Sequence, residues 1–154
     1  MTQTLLAFDY GERYIGVAVG NTETGIAHPA GHYEAADDES RCRGAEARVR
    51  EWSAAVIVVG LPLGPEGEER PITTRCRKFA RALAARTGLP VELVDERLSS
   101  AAAEETLRAA GRGGRRHKHE AHAMAAQIVL QAWLDDKVRE RNLRDRAGAP
   151  HPST

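Results

Sequence analysis

At 154 residues the chain has the length of one ordinary domain, enough to bury its own core. Lys+Arg and Asp+Glu balance at 22 each, so net charge excludes no class of partner, but residues 1–70 hold 12 acids and 6 bases while residues 71–154 hold 10 acids and 16 bases. Such asymmetry suits a basic face that engages a polyanion, and equally suits ordinary solvated helix faces.

Residues 4–8, 14–19 and about 25–33 read as three successive strands, separated by turn signals at Gly11-Glu12 and Asn21-Thr22-Glu23. Connections this short make an antiparallel meander. The apolar stretch of residues 5–8 runs straight into Asp9 and is too short for a signal peptide. No apolar run approaches the length of a membrane span, so a cytoplasmic protein with no membrane partner is expected.

Residues 40–52 follow as a helix, with Ala45, Val49 and Trp52 at helical spacing; Trp52 and Trp133 read as core aromatics. Residues 56–59 form a continuous apolar run, the mark of a strand covered on both faces, ending at Gly60-Leu61-Pro62. After a loop at 64–71, a helix over 72–87 places Phe79 and Leu83 on one face and stops at Gly88. Residues 91–94 are a second buried strand. Ser99-Ser100 caps a further helix with Leu107 inward, which breaks at Gly111, Gly113 and Gly114. The most apolar helix spans about 119–136.

Residues 137–154 are charged and then Ala-Gly-Ala-Pro-His-Pro, the composition of a flexible tail. The expected organisation is one domain over 1–136 with a tail over 137–154. Its fold class is α/β: a mixed five-stranded sheet, three antiparallel strands then two parallel, flanked by helices. Cys42 and Cys76 lack metal-type spacing, which predicts free thiols in a reducing compartment.

Two acids at strand tips, Asp9 and Glu96, are the leading candidates for chemistry. Separated by about 90 residues, they meet in one site only if their strands are neighbours in the sheet. Hard oxygen ligands at such a site suit Mg²⁺ or Mn²⁺, which would stabilise charge on an attacked phosphodiester and activate water. The alternative readings of Asp9 are a hairpin cap, or part of the phosphate-binding hairpin of actin-like and sugar-kinase ATPases, which need two lobes where this length provides one. For Glu96 the bland alternative is a surface Asp95-Glu96-Arg97 turn, with Arg97 neutralising whichever acid points away.

Arg108, Arg112, Arg115, Arg116 and Lys118 stand among three glycines with no acid, a pattern that serves either to clamp a phosphate backbone or as a solvated linker. His117, His119 and His122 follow, without the cysteines of a structural zinc site. His122 shares a helical face with Ala125, Ala126, Val129 and Trp133, so it enters the core side either as a site residue or as a buried neutral imidazole.

Phe8-Asp9-Tyr10-Gly11-x-Arg13-x-Ile15-Gly16-Val17-Ala18, Val59-Gly60-Leu61-Pro62-Leu63 with Gly67, Asp95-Glu96-Arg97-Leu98-Ser99-Ser100 and Ala125-Ala126-x-Ile128-Val129-Leu130-Gln131 together resemble the YqgF/RuvX family. The four blocks occur in the family's order and span about residues 4–134. The resemblance implies an RNase H-like fold and a cytoplasmic bacterial nuclease. Its substrate would be the 5′ end of the 16S ribosomal RNA precursor or, alternatively, four-way branched DNA.

It further implies that Asp9 and Glu96 are the first two catalytic acids and that Lys118 fills a basic position. The place of the family's third acid holds His122. Glu120 is a poor substitute, because two residues along a helix turn it about 160° away from His122. His122 would then ligate metal with a bias to Mn²⁺, act as a general base, or leave a weakened enzyme that only binds nucleic acid. Arg13 and Ser99 would contact phosphate or tie loops together. Junction cutting would require a homodimer, whereas RNA trimming is open to a monomer.

Overall fold

Alternation of large and small side chains decides how the central strands pack. Along β2 (Tyr14–Asn21), Ile15 and Val17 point to one face, while Gly16, Ala18 and Gly20 point to the other. A computed structural model describes residues 2–97 and 118–148 and shows what each face receives. The large side chains of β1 (Thr4–Asp9), β2 and β4 (Val56–Leu61) meet α1 (Asp38–Trp52) and α2 (Pro71–Thr87) in a core built on Leu6, Phe8, Ile15, Ile57, Val59, Phe79 and Leu83. The small ones admit α3 (Lys118–Gly148), which buries Ala126, Val129, Leu130 and Leu134 against Leu5, Ala7, Ala18 and Val58.

The sheet order is β3-β2-β1-β4-β5, with β3 at Ala27–Glu34 and β5 at Val91–Asp95. β1–β2 and β2–β3 are antiparallel and β1–β4 and β4–β5 parallel, the mixed five-stranded arrangement expected from the sequence. Parallel pairing needs the helical crossovers that α1 and α2 supply. It also brings the ends of β1, β4 and β5 to one pole of the sheet.

Local signals set the element bounds. Asp37 accepts a hydrogen bond from the Ser40 amide at 2.7 Å, so α1 begins at Asp38, two residues earlier than expected. Pro71 opens α2 and Gly88, at φ 72°, closes it. Both cysteines are buried free thiols.

Three expectations need correction. Trp52 is 41% exposed and no core aromatic, because it lies on the last turn of α1, at the rim. Trp133 is half-buried against the α3 core. The last helix does not end at Asp136: it continues to Gly148, since residues 137–146 are mostly good helix formers with no proline to stop them. The helix expected after Ser99 lies outside the described residues. Among the described residues, no helix is long and apolar enough to cross a membrane.

Candidate active site

Asp9 closes β1 opposite Gly16 on β2 and Gly60 on β4. It shares the parity of Leu5 and Ala7, so its carboxylate lies on the α3 face, 9% exposed and flanked on both sides by residues without side chains.

β1 and β5 are not neighbours, contrary to the expectation that the two acids need adjacent strands; β4 lies between them. Gly60 removes the obstacle. A Cβ there would stand 2.9 Å from Glu96 Oε2 and 3.2 Å from Val129 Cγ2. Glu96, whose amide donates to the Leu61 carbonyl at 3.2 Å, therefore folds its side chain over β4 and hydrogen-bonds with Asp9.

The neighbouring acid is engaged elsewhere. Arg97 grips Asp95, with Nε 2.8 Å and Nη2 2.5 Å from Oδ2, and its Nη1 donates to the Pro65 carbonyl at 3.3 Å. These bonds hold the Asp95 carboxyl below the usual carboxylate range. Glu96 moves the other way: burial first, then the hydrogen bond to Asp9 and its charge, push the carboxyl up to about 10. The buried Glu96 carboxyl therefore keeps its proton at neutral pH. On the far side of β4, the buried Cys76 thiol donates to the Gly60 carbonyl at 3.4 Å. Burial, reinforced by Glu96 and Asp9, raises its pKa and leaves it inert.

His122 reaches this pair from the first turns of α3. Its Nδ1 lies 3.6 Å from Asp9 Oδ2, an ion-pair distance when the imidazole is protonated. At 32% side-chain exposure it is not a buried histidine. Gly16 sets the approach, since a Cβ there would overlap the His122 carbonyl. Gln131 fixes the helix along its length, accepting from the Ala27 amide at 2.9 Å and donating to the Gly25 carbonyl at 2.9 Å.

The donor set suits a divalent cation in kind, with two carboxylates whose mutual repulsion a cation would relieve and an imidazole beside them. Among the described residues no group of three His, Cys, Asp or Glu side chains is drawn together tightly enough to hold an ion. Arg13 sits on the same hairpin, 73% exposed and 3.2 Å from Glu34, with its guanidinium 5.3 Å from the Tyr14 ring. Ser99, Arg108, Arg112, Arg115 and Arg116 lie outside the described residues, and Lys118 is the first residue of α3.

Two residues that the sequence did not single out join the site. Tyr14 stands between two histidines, 5.8 Å from the His122 ring and 5.7 Å from that of His32. His32 pairs in register with Gly16, in the row that contains Asp9. Only the strand pairing reveals this row; a histidine in an edge strand carries no signal of its own.

The sheet order and its flanking helices define an RNase H-like fold. Two solved structures share the fold. Thermus thermophilus RuvC in complex with a Holliday junction has a TM-score of 0.55 at 15% identity, over 89% of this chain and 96% of that one. The fowlpox virus resolvase in complex with Holliday junction DNA has a TM-score of 0.56 at 7% identity, over 88% and 99%.

The chain belongs to the family described as RuvX, Holliday junction resolvase, whose model matches residues 3–136. Relatives bearing the name "Putative pre-16S rRNA nuclease" include one from Methylobacillus flagellatus, 46% identical over 85% of this chain and 90% of its own length. Another, from Chromobacterium violaceum, is 44% identical over 84% and 96%.

Proposed function

We propose that this protein is a divalent-metal-dependent cytoplasmic ribonuclease that processes the 5′ end of pre-16S rRNA, with Asp9, Glu96 and His122 at the reacting phosphate. The observation that carries the reading is the meeting of the Asp9 and Glu96 carboxyls over Gly60, beside His122. Asp9 and Glu96, with His122 as the nitrogen donor, would hold Mg²⁺ or Mn²⁺. Such an ion supplies positive charge opposite that developing on phosphate and makes a nearby water more acidic.

The chain's own residues do the rest. Glu96, which keeps a proton beside Asp9 in the metal-free site, would act as a carboxylate ligand once deprotonated. Gly16 and Gly60 keep the space around the carboxylates clear of side chains. With Nδ1 turned to Asp9, His122 has Nε2 for one of two alternative tasks, ligating the ion or receiving and donating a proton. Arg13, Ser99, Arg108, Arg112, Arg115, Arg116 and Lys118 hold the phosphate backbone without reading its sequence. One copy is enough for this trimming.

A second reading, resolution of four-way DNA by a homodimer, is favoured by the description of the matching family model. Metal-dependent cleavage of a pre-16S rRNA 5′ fragment, measured beside a synthetic four-way junction, separates the two. The expected result is cleavage of the RNA, with Asp9→Asn and Glu96→Gln each at least about a hundredfold slower. Variants that cut as well as the wild type would sink the site, and cleavage confined to the junction would establish the second reading. A large gain on His122→Asp would show that the histidine leaves the protein a binder rather than an enzyme.

A further inference from the structure

α3 does not stop where the sheet stops. From Asp135 to Arg146 every residue is exposed, and the family match ends at residue 136, so the last turns of the helix lie beyond what the family model describes. This projecting segment carries five cations, Lys137, Arg139, Arg141, Arg144 and Arg146, against four acids, Asp135, Asp136, Glu140 and Asp145. Pairing removes only the nearer cations. Arg139 lies 4.0 Å from Asp136, and Lys137 lies 3.5 Å from Glu140 and 4.0 Å from Glu92. Among the described residues, no ion pair engages Arg141, Arg144 or Arg146.

Helical geometry aligns these groups. Trp133, Lys137, Arg141 and Arg144 fall within an arc of about 80°. At the root of the stripe, Lys137 Nζ lies 5.2 Å from the Trp133 ring centroid, and Trp133 Nε1 is buried with no hydrogen-bond partner. A cavity of about 220 Å³ opens there, lined by Gln3, Thr22, Gly25, Trp133, Lys137 and Arg141. The segment is a poor seam for another helix: its exposed large apolar residues, Val138 and Leu143, are five positions apart and point about 140° from one another.

We propose that this arm is a second nucleic-acid contact, in which Arg141 and Arg144 bind backbone phosphates of duplex RNA flanking the cleavage position. The proposal rests on the reading of the Asp9–Glu96–His122 site as a ribonuclease centre. At 1.5 Å per residue, the two arginines stand about 28 and 33 Å along α3 from His122. At roughly 2.8 Å per base pair of A-form RNA, that reach corresponds to about ten to twelve base pairs from the reacting phosphate. Guanidinium groups bind phosphate without reading bases, so the contact registers substrate length and not sequence.

The test is fluorescence anisotropy with 6- and 20-base-pair RNA duplexes, using full-length Asp9→Asn protein so that the RNA stays intact. This protein is compared with the same protein also carrying Arg141→Gln and Arg144→Gln. Each lost phosphate contact lowers the slope of log affinity against log salt by about 0.9. The expected result is a slope shallower by about 2 on the long duplex, no change on the short one, and recovery with Arg141→Lys and Arg144→Lys. Equal slopes on the long duplex, or equal loss at both lengths, would overturn the arm. So would a change of oligomeric state in sedimentation on substituting the two arginines. Failure of the wild-type protein to cleave RNA would refute the ribonuclease reading, while the slopes would still decide the arm.

Discussion

The two faces of the sheet are built for different purposes. On the α1/α2 side the strands present Leu6, Phe8, Ile15, Val17, Ile57 and Val59, and the Phe8 and Phe79 rings meet edge-on at 6.4 Å. On the α3 side they present Ala7, Gly16, Ala18, Gly20 and Gly60, and the helix backbone comes close enough to touch the strands. The first face holds the sheet together through apolar burial. The second sacrifices some of that burial for space, and in that space Asp9, Glu96 and His122 meet. Stability and chemistry are thus separated by a single strand thickness, and substitutions on the two faces should fail in different ways.

The largest effect is expected on the packing face. Phe8→Ala should cost about 3–5 kcal/mol of stability, while the fraction that folds retains its cleavage rate; chemical denaturation alongside rate per folded molecule checks both. A comparable loss of rate in the folded fraction would break the separation. On the site face, Asp9→Asn should lower the cleavage rate by about 3 kcal/mol of transition-state stabilisation, with the unfolding midpoint little changed.

Glu96→Gln should do both things in opposite senses, slowing cleavage and stabilising the metal-free protein by roughly 1–2 kcal/mol near neutral pH. The sign follows from linkage. The folded-state value of about 10 stands above the ordinary 4.5, so the native state keeps a proton that the unfolded chain releases. The contribution is complete below about 4.5 and declines as pH rises toward 10. Unfolding followed across that window in the presence of a chelator should show the decline in the wild type and a flatter profile in the variant.

Gly60→Ala should be gentler to the fold, because the nearest obstacle to the new Cβ is the movable Glu96 carboxylate at 2.9 Å. Displacing that carboxylate should slow cleavage by about tenfold, or 1.4 kcal/mol, a loss readable as lower kcat. Smallest of all, Arg97→Ala removes a partly exposed grip on Asp95 and should change stability by no more than about 1 kcal/mol.

Much of this was legible along the chain, because apolar periodicity and turn residues are local properties. The strand meander, the buried run at β4, the Gly88 stop and the acids at the ends of β1 and β5 all follow from residues a few positions apart. Trp52 misled for the same reason: helical spacing places it on a face, but only the end of the packed layer leaves it at the rim. Composition also misled at residue 137, where charged residues that suit a tail suit an exposed helix equally well.

What the sequence determined by itself is the class of fold and the identity of the candidate acids, since strand ends and family blocks are written in consecutive residues. Tertiary structure alone decided that β4 separates those acids and that Gly60 lets Glu96 reach across it. It also decided that Arg97 turns Asp95 away, and that His122 meets Asp9 because Gly16 admits the backbone of α3. Each of these depends on which atoms the folded chain packs into the same few cubic ångströms, and residues far apart in sequence carry no local trace of that competition for space.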